Sequence, residues 1–92
     1  MKLLYVEDNM ADADLVHRLL MRAGGFTVEI ASTFSQASHR LEADPDFDLV
    51  LSDLSLPDGN GMDLLAWIRD RNLPMAVVIL TGSGDQEAAV AA

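Results

Sequence analysis

Four short apolar segments recur along the 92-residue chain, and they constrain its fold more than any other feature. Three of them are rich in Val, Ile or Leu without strict alternation, which is typical of strands covered on both faces of a parallel sheet. They are LLYV (3–6), FDLVLS (47–52) and MAVVIL (75–80). The fourth, FTVEIA (26–31), alternates more and therefore predicts a half-covered or edge strand.

Helical patterns fill the intervals between these segments. The first pattern ends at the glycine pair 24–25. Its predicted apolar face consists of Leu15, Val16, Leu19, Leu20 and Ala23. A second helix begins with Thr33 and Gln36 in the spacing of a capping box, and a third begins after Asn60 as its cap. The final residues, GDQEAAVAA, predict the start of a fourth helix.

Strand and helix patterns thus alternate from one end of the chain to the other. This alternation predicts an α/β fold, a doubly wound parallel sheet with crossover helices on its faces. The sequence contains no internal repeat, low-complexity tract or interdomain linker, so residues 1–92 are expected to form one domain.

Composition excludes several classes of protein. The chain has no cysteine, which rules out disulfides and thiolate metal sites and favours the cytoplasm. Its net charge of −9 repels phosphate backbones, so we expect no nucleic acid to bind. No apolar run approaches the roughly 18 residues of a membrane span, and the N-terminus does not resemble a signal peptide.

Polar side chains follow the predicted strands where each one ends. Glu7 and Asp8 follow the first strand, Asp53 ends the third, and Thr81 ends the fourth. The carboxyl ends of parallel strands meet at one edge of a sheet, where sites form in such folds. Asp48 begins the third strand and therefore lies about 16 Å from Asp53, too far to join them.

Three carboxylates at one edge would repel one another unless a cation relieves the repulsion. Ligands that offer only oxygen favour a hard ion such as Mg²⁺, which takes one or two carboxylates together with a substrate phosphate. The pattern therefore predicts a magnesium-assisted phosphoryl site in which a carboxylate is the nucleophile. Thr81 and the backbone amides of 82–84 can donate hydrogen bonds to the same phosphoryl group.

The segments LLYVEDN, DLSLPDGNG and VVILTGSGD together resemble the receiver domain of two-component response regulators. That family carries an acidic pair after the first strand, a phosphoacceptor Asp after the third and a Thr or Ser after the fourth. A Pro four residues and a Gly eight residues beyond the acceptor are also typical, and here these are Pro57 and Gly61. The resemblance extends over all 92 residues in order.

The resemblance implies a function for each matching residue. Asp53 accepts a phosphoryl group from a histidine kinase or phosphotransfer protein. Asp8 and Asp53 bind Mg²⁺ directly, Glu7 binds it mostly through water, and the backbone carbonyl of Ser55 completes the protein ligands. Thr81, with Gly82 beside it, contacts the phosphoryl group and signals its presence to the surface around the fourth helix. The domain itself is expected to turn over no external substrate.

The chain also departs from the family pattern. The family sheet has five strands in the order 2-1-3-4-5, of which this sequence supplies the first four, so we expect the order 2-1-3-4 without the fifth strand and fifth helix. The family's fifth strand ends in a lysine that pairs with the phosphoryl group. Lys2 cannot replace that lysine, because it begins the first strand and lies about 20 Å from Asp8. We therefore expect slow phosphorylation and an impaired switch. We also expect an open edge along the fourth strand, covered by another copy unless the chain is a fragment.

Three other functions remain open. A phosphate-independent receiver-like interaction module would keep the fold and use only its surface. A nucleotide-binding module is disfavoured because the first turn reads EDNMAD, where glycines should approach a pyrophosphate. A metal-dependent phosphohydrolase would need a further acid and a substrate pocket, and the sequence suggests neither.

Overall fold

The computed structural model describes residues 1–80 and the backbone of residues 88–91. Its helices are α1 (Met10–Ala23), α2 (Phe34–Ala43) and α3 (Gly61–Asp70). Its strands are β1 (Lys2–Val6), β2 (Thr27–Ala31), β3 (Leu49–Asp53), β4 (Ser55–Leu56), β5 (Gly59–Asn60), β6 (Ala76–Leu80) and β7 (Ala88–Ala91).

The main sheet has the order β2-β1-β3-β6-β7. The first four of these strands are parallel, which confirms the doubly wound fold and the predicted order 2-1-3-4. β2 lies at one edge, as its alternating pattern predicted. β1 and β3, which are apolar over residues 3–6 and 49–51, occupy the centre of the parallel part and carry the acids of the predicted site at their carboxyl ends.

Helices cover both faces of this sheet. On one face α1 packs over a cluster centred on Leu3, Tyr5 and Ala13. On the other face α2 and α3 enclose the larger core, whose fully buried side chains include Leu4, Leu41, Val50, Leu64, Ile68 and Ile79. The strand segments are apolar on both sides because each side is in contact with a helix layer.

The apolar face predicted for α1 is partly wrong. Ala13, Val16 and Leu20 contact the sheet, whereas Leu15 and Leu19 are each 54% exposed. At about 100° per residue, Leu15 and Leu19 lie on the flank of the helix rather than beneath it. The predicted face also included Ala23, the last residue of α1, which is exposed.

The predicted fourth helix is wrong for Ala88–Ala91, which form β7 and pair antiparallel with β6. Residues 84–87 and 92 of that prediction lie outside the described residues. β6 would otherwise present a row of unpaired backbone N–H and C=O groups, and an apolar segment that follows in the chain satisfies them. The expected open edge of β6 is therefore wrong as well, and with it the reason given for another copy at that edge.

Local signals mark the end of α1 and the beginnings of α2 and α3. Gly24 and Gly25 follow α1 with φ of 75° and 79°, a backbone region that favours glycine. Asn60 and Asp63 form a reciprocal capping box at α3. Thr33 caps α2, but the Gln36 side chain accepts from the Ser32 N–H instead of completing the predicted box.

Among the described helices, none is long and apolar enough to cross a membrane.

Candidate metal and phosphoryl site

The acids predicted from strand ends do lie together. β1 and β3 are parallel neighbours with Val6 opposite Ser52, so the next residues of the two strands, Glu7 and Asp53, emerge side by side. Glu7, Asp8 and Asp53 each have a carboxylate oxygen within 4.8 Å of the others. Two adjacent strands thus bring three carboxyl groups together at one edge of the sheet.

Glu7 is the buried member of this cluster, with 6% of its surface exposed. Its Oε1 accepts a hydrogen bond from the Tyr5 hydroxyl at 3.3 Å, and its Oε2 accepts one from the Asn9 N–H at 3.2 Å. Burial raises the pKa of Glu7, and the negative charge of Asp53 raises it further, although the two hydrogen bonds act in the opposite direction. The cluster therefore contains one carboxylate that is costly to ionise when no cation is present.

Asn9 joins the acid cluster to α1. Its side-chain oxygen accepts from the N–H groups of Ala11 and Asp12 at 3.0 and 3.2 Å, and thereby caps the helix. Its own N–H donates to Glu7. The N-terminus of α1 carries a partial positive charge and lies beside the acids, which offsets part of their repulsion.

Asp53 is half-buried at the end of β3, and the backbone around it is closely held. The hydroxyl of the buried Ser52 donates to the Asp53 carbonyl oxygen at 2.9 Å. The Leu54 N–H donates to Leu80 O and the Gly61 N–H donates to Leu54 O, each at 2.8 Å. These bonds fix the chain on both sides of the carboxylate, whose side chain stays partly accessible.

Gly61 allows this close approach. An ideal Cβ at Gly61 would lie 2.7 Å from the Asp53 carbonyl oxygen and 3.1 Å from a methyl group of Ile79. The requirement is for space and not for an unusual backbone conformation, since the positive-φ glycines described are Gly24 and Gly25. The structure thus supplies a physical reason for a glycine eight residues beyond Asp53, the predicted acceptor.

The segment after Asp53 forms a short antiparallel pair that the sequence patterns did not predict. β4 pairs with β5 so that Ser55 lies opposite Asn60, and Pro57 lies in the turn between them. Ser55 is exposed and lies two residues after Asp53 in the sequence. Its backbone carbonyl as a metal ligand stays a prediction.

Asp58, in the same turn, caps the N-terminus of α2, which is distant in the sequence. Its two carboxylate oxygens accept from the N–H groups of Phe34 at 2.7 Å and Ser35 at 3.0 Å. The next two N–H groups of α2 are satisfied by Thr33. Sequence reasoning missed this contact, because nothing local to the PDG turn indicates which helix end lies beside it.

We expect Asp58→Ala to lower the thermal unfolding midpoint by several degrees, because two helical N–H groups lose their acceptor. The N–H groups of Ser35 and Phe34 lower the pKa of Asp58. Its contribution is therefore present above its unfolded pKa and lost as pH falls through the folded value. Thermal melts of the wild type and of Asp58→Ala, from neutral pH down through the folded pKa of Asp58, measure the effect. Equal midpoints at neutral pH would contradict it.

Thr81 and Gly82, expected to contact a phosphoryl group, lie outside the described residues. Lys2 is the only lysine in the sequence, and it contacts Asp44 at the amino ends of the strands. Within residues 1–80, the acid cluster therefore has no lysine beside it.

This doubly wound fold, with acids after the first and third strands, defines a class of small α/β domains that carry an acidic site at the strand ends. The family model of the response regulator receiver domain matches residues 3–92. The chain therefore belongs to the response regulator receiver domain family, which acts in two-component signalling.

Curated relatives agree with this assignment. The transcriptional regulatory protein CusR of Escherichia coli (strain K12) is 37% identical over 87 residues, which are 95% of this chain and 37% of CusR. The acid tolerance regulatory protein ActR of Rhizobium meliloti (strain 1021) is 37% identical over 88 residues, 96% of this chain and 44% of ActR. The chain therefore spans less than half the length of these relatives.

Solved structures have the same fold. The receiver domain from the hybrid histidine kinase CckA superposes with a TM-score of 0.81 at 30% identity, covering 94% of this chain and 80% of that chain. The MaeR response regulator bound to beryllium trifluoride has a TM-score of 0.80 at 28% identity, covering 92% of this chain and 70% of that chain.

Proposed function

We propose that this domain is a phosphorylation switch. Asp53 receives a phosphoryl group from the phosphohistidine of a histidine kinase or phosphotransfer protein, and Mg²⁺ is required. The modification then biases the surface beyond the fourth parallel strand toward a second conformation. The domain modifies itself and turns over no external substrate.

The clustering of three carboxylates from two adjacent strands carries this proposal. Structural acids on a surface are normally spread apart, because clustered like charges destabilise the fold. Here one of the three is also buried, at 6% exposure, which adds the cost of desolvation. An arrangement that is unfavourable on its own is understandable if its purpose is to bind a cation.

The donor atoms fit magnesium. Glu7, Asp8 and Asp53 offer carboxylate oxygens, and the backbone carbonyl of Ser55 would add another oxygen, all of them hard ligands of the kind Mg²⁺ prefers. Glu7 is anchored by two hydrogen bonds, so we assign it to contact through water, with Asp8 and Asp53 as direct ligands. A bound divalent ion would neutralise charge on the phosphoryl oxygens and on the three acids.

Asp53 is suited to be the nucleophile because its carboxylate is half-buried and its backbone is fixed. A carboxylate oxygen forms a bond to phosphorus as the phosphorus–nitrogen bond of the donor histidine breaks, and the histidine nitrogen keeps the electron pair. The product is an acyl phosphate on Asp53. We assign Thr81 and the Gly82 amide as donors to its oxygens, by the resemblance described above.

The experiment incubates the protein with acetyl phosphate and Mg²⁺ and measures its intact mass. We expect a gain of about 80 Da, one phosphoryl group, in the wild type and none in Asp53→Asn. Asp48→Asn is the matched control, because Asp48 precedes the same strand at the opposite end and its side chain accepts the Lys2 N–H, away from the acid cluster. It should be phosphorylated like the wild type, and a chelator should prevent the gain in both.

A second function, the phosphate-independent interaction module, is favoured by one observation. Within residues 1–80, Lys2 contacts Asp44 at the amino ends of the strands, so no lysine lies beside the acids. A wild-type protein that binds Mg²⁺ but gains no mass would favour this module. A mass gain that persists in Asp53→Asn would instead reject Asp53 as the acceptor.

A further inference from the structure

A tyrosine hydroxyl lies inside the apolar layer beneath the acid cluster. Tyr5 is in the middle of β1 and is 1% exposed. Its ring belongs to the cluster that packs against α1, beside Leu3 and Ala13. A buried phenol needs a hydrogen-bond partner, and the hydroxyl lies 3.3 Å from Glu7 Oε1.

The strand geometry explains this contact. Residues two apart on a strand point to the same face, so Tyr5 and Glu7 both point toward the α1 layer. Asp8, the next acid, is exposed. Glu7 therefore reaches the cluster from the inside, where its orientation depends on protein groups and not on solvent.

We propose that Tyr5 is a positioning residue for the metal site. Its hydroxyl donates to Oε1 while the Asn9 N–H donates to Oε2, so both oxygens of Glu7 are held and the carboxylate plane is set. A carboxylate has about four lone-pair sites, which leaves acceptor capacity for a metal-bound water on each oxygen. The inference rests on the proposed function, because it concerns Mg²⁺ binding at that same site.

Tyr5→Phe keeps the ring and its packing and removes only the hydroxyl. We expect Mg²⁺ affinity to fall about tenfold, since groups that orient a ligand typically change metal affinity by 10- to 100-fold. The measurement is a calorimetric titration with magnesium chloride, which needs no phosphodonor. Circular dichroism before each titration verifies that the variant is folded.

Leu3→Val is the matched control for packing. Leu3 lies on the same strand and in the same buried cluster, 2% exposed, and its substitution removes apolar volume without touching a carboxylate. It should lower the unfolding midpoint and leave Mg²⁺ affinity unchanged. If both variants weakened Mg²⁺ binding equally, Tyr5 would act through general packing and the inference would be overturned.

A double-mutant cycle tests the connection through Glu7. In a Glu7→Ala background the hydroxyl has lost its partner, so Tyr5→Phe should change the remaining Mg²⁺ affinity less than twofold. An unchanged tenfold effect there would also overturn the inference. If Tyr5→Phe binds Mg²⁺ as tightly as a wild type that does bind it, this inference alone fails. A wild type that takes up no Mg²⁺ at all rejects the proposed metal site itself.

Discussion

Gly61→Ala is expected to lower the free energy of unfolding by about 1–3 kcal/mol, the usual cost of forcing an extra carbon into a packed site. The new methyl would lie 2.7 Å from the Asp53 carbonyl oxygen and 3.1 and 3.3 Å from two methyl carbons of Ile79. Ile79 is 1% exposed and cannot turn away without opening the core. The main chain at Asp53 or the start of α3 must therefore shift.

The shift should affect the site as well as stability. The Gly61 N–H donates to Leu54 O, so moving α3 pulls on the residue next to the proposed acceptor. We expect Gly61→Ala to be phosphorylated more slowly even at temperatures where it is fully folded. Urea denaturation gives the stability, and the time course of mass gain with acetyl phosphate gives the rate.

Gly59→Ala is the matched control. Gly59 lies two residues earlier in β5, and the nearest atoms to an added Cβ are 3.6 Å away, an ordinary contact distance. Its substitution should change the unfolding free energy by less than about 0.5 kcal/mol. Equal stabilities of the two variants would show that Gly61 is not needed for space, and the account of the tight turn would be wrong.

The acid cluster was predictable from sequence because it depends on one geometric rule. Strands that are parallel and adjacent bring their carboxyl ends together, so Glu7, Asp8 and Asp53 could be grouped once the strand order was expected. The rule concerns backbone position only. It gives no information on which acid is buried, and the burial of Glu7 follows from its face of the strand and from the packing of α1 over Tyr5.

Contacts between distant segments were not predictable in this way. The bonds from Asp58 to the start of α2 join residues more than 20 positions apart, and no periodic pattern records them. The pairing of Ala88–Ala91 with β6 overrode the helical propensity of an alanine-rich segment, because an open strand edge is a stronger constraint than local preference. The exposure of Leu15 and Leu19 likewise depends on how α1 lies across the sheet.

Glu7→Gln is expected to stabilise the magnesium-free protein at neutral pH. Burial raises the pKa of Glu7, so ionising it within the fold is unfavourable, and glutamine removes that charge. The amide can keep both contacts, since its oxygen can accept from the Asn9 N–H and its NH₂ group can donate to the Tyr5 oxygen. The variant therefore removes the charge of Glu7 while both of its hydrogen bonds are kept.

The pH dependence has a definite sign. Because the folded pKa lies above the unfolded one, the stability that Glu7 contributes is complete below the unfolded pKa and is lost as pH rises through the folded pKa. The two proteins should therefore melt alike below the unfolded pKa of Glu7, and their unfolding midpoints should diverge as pH rises through the folded pKa. Thermal melts in the presence of a chelator measure this difference.

Magnesium should reverse the order of the two unfolding midpoints, so that the wild type melts at a higher temperature than Glu7→Gln. A ligand that binds only the folded state stabilises it in proportion to the logarithm of its concentration relative to the dissociation constant, and the wild type has the stronger site. Glu42→Gln is the control for removing one negative charge, since Glu42 is 52% exposed in its side chain, pairs with Arg71 and lies on α2 away from the cluster. It should respond to Mg²⁺ like the wild type. If Glu7→Gln melted below the wild type in chelator at neutral pH, the buried charge would be stabilised without a metal, and the physical case for a cation at this edge of the sheet would fail.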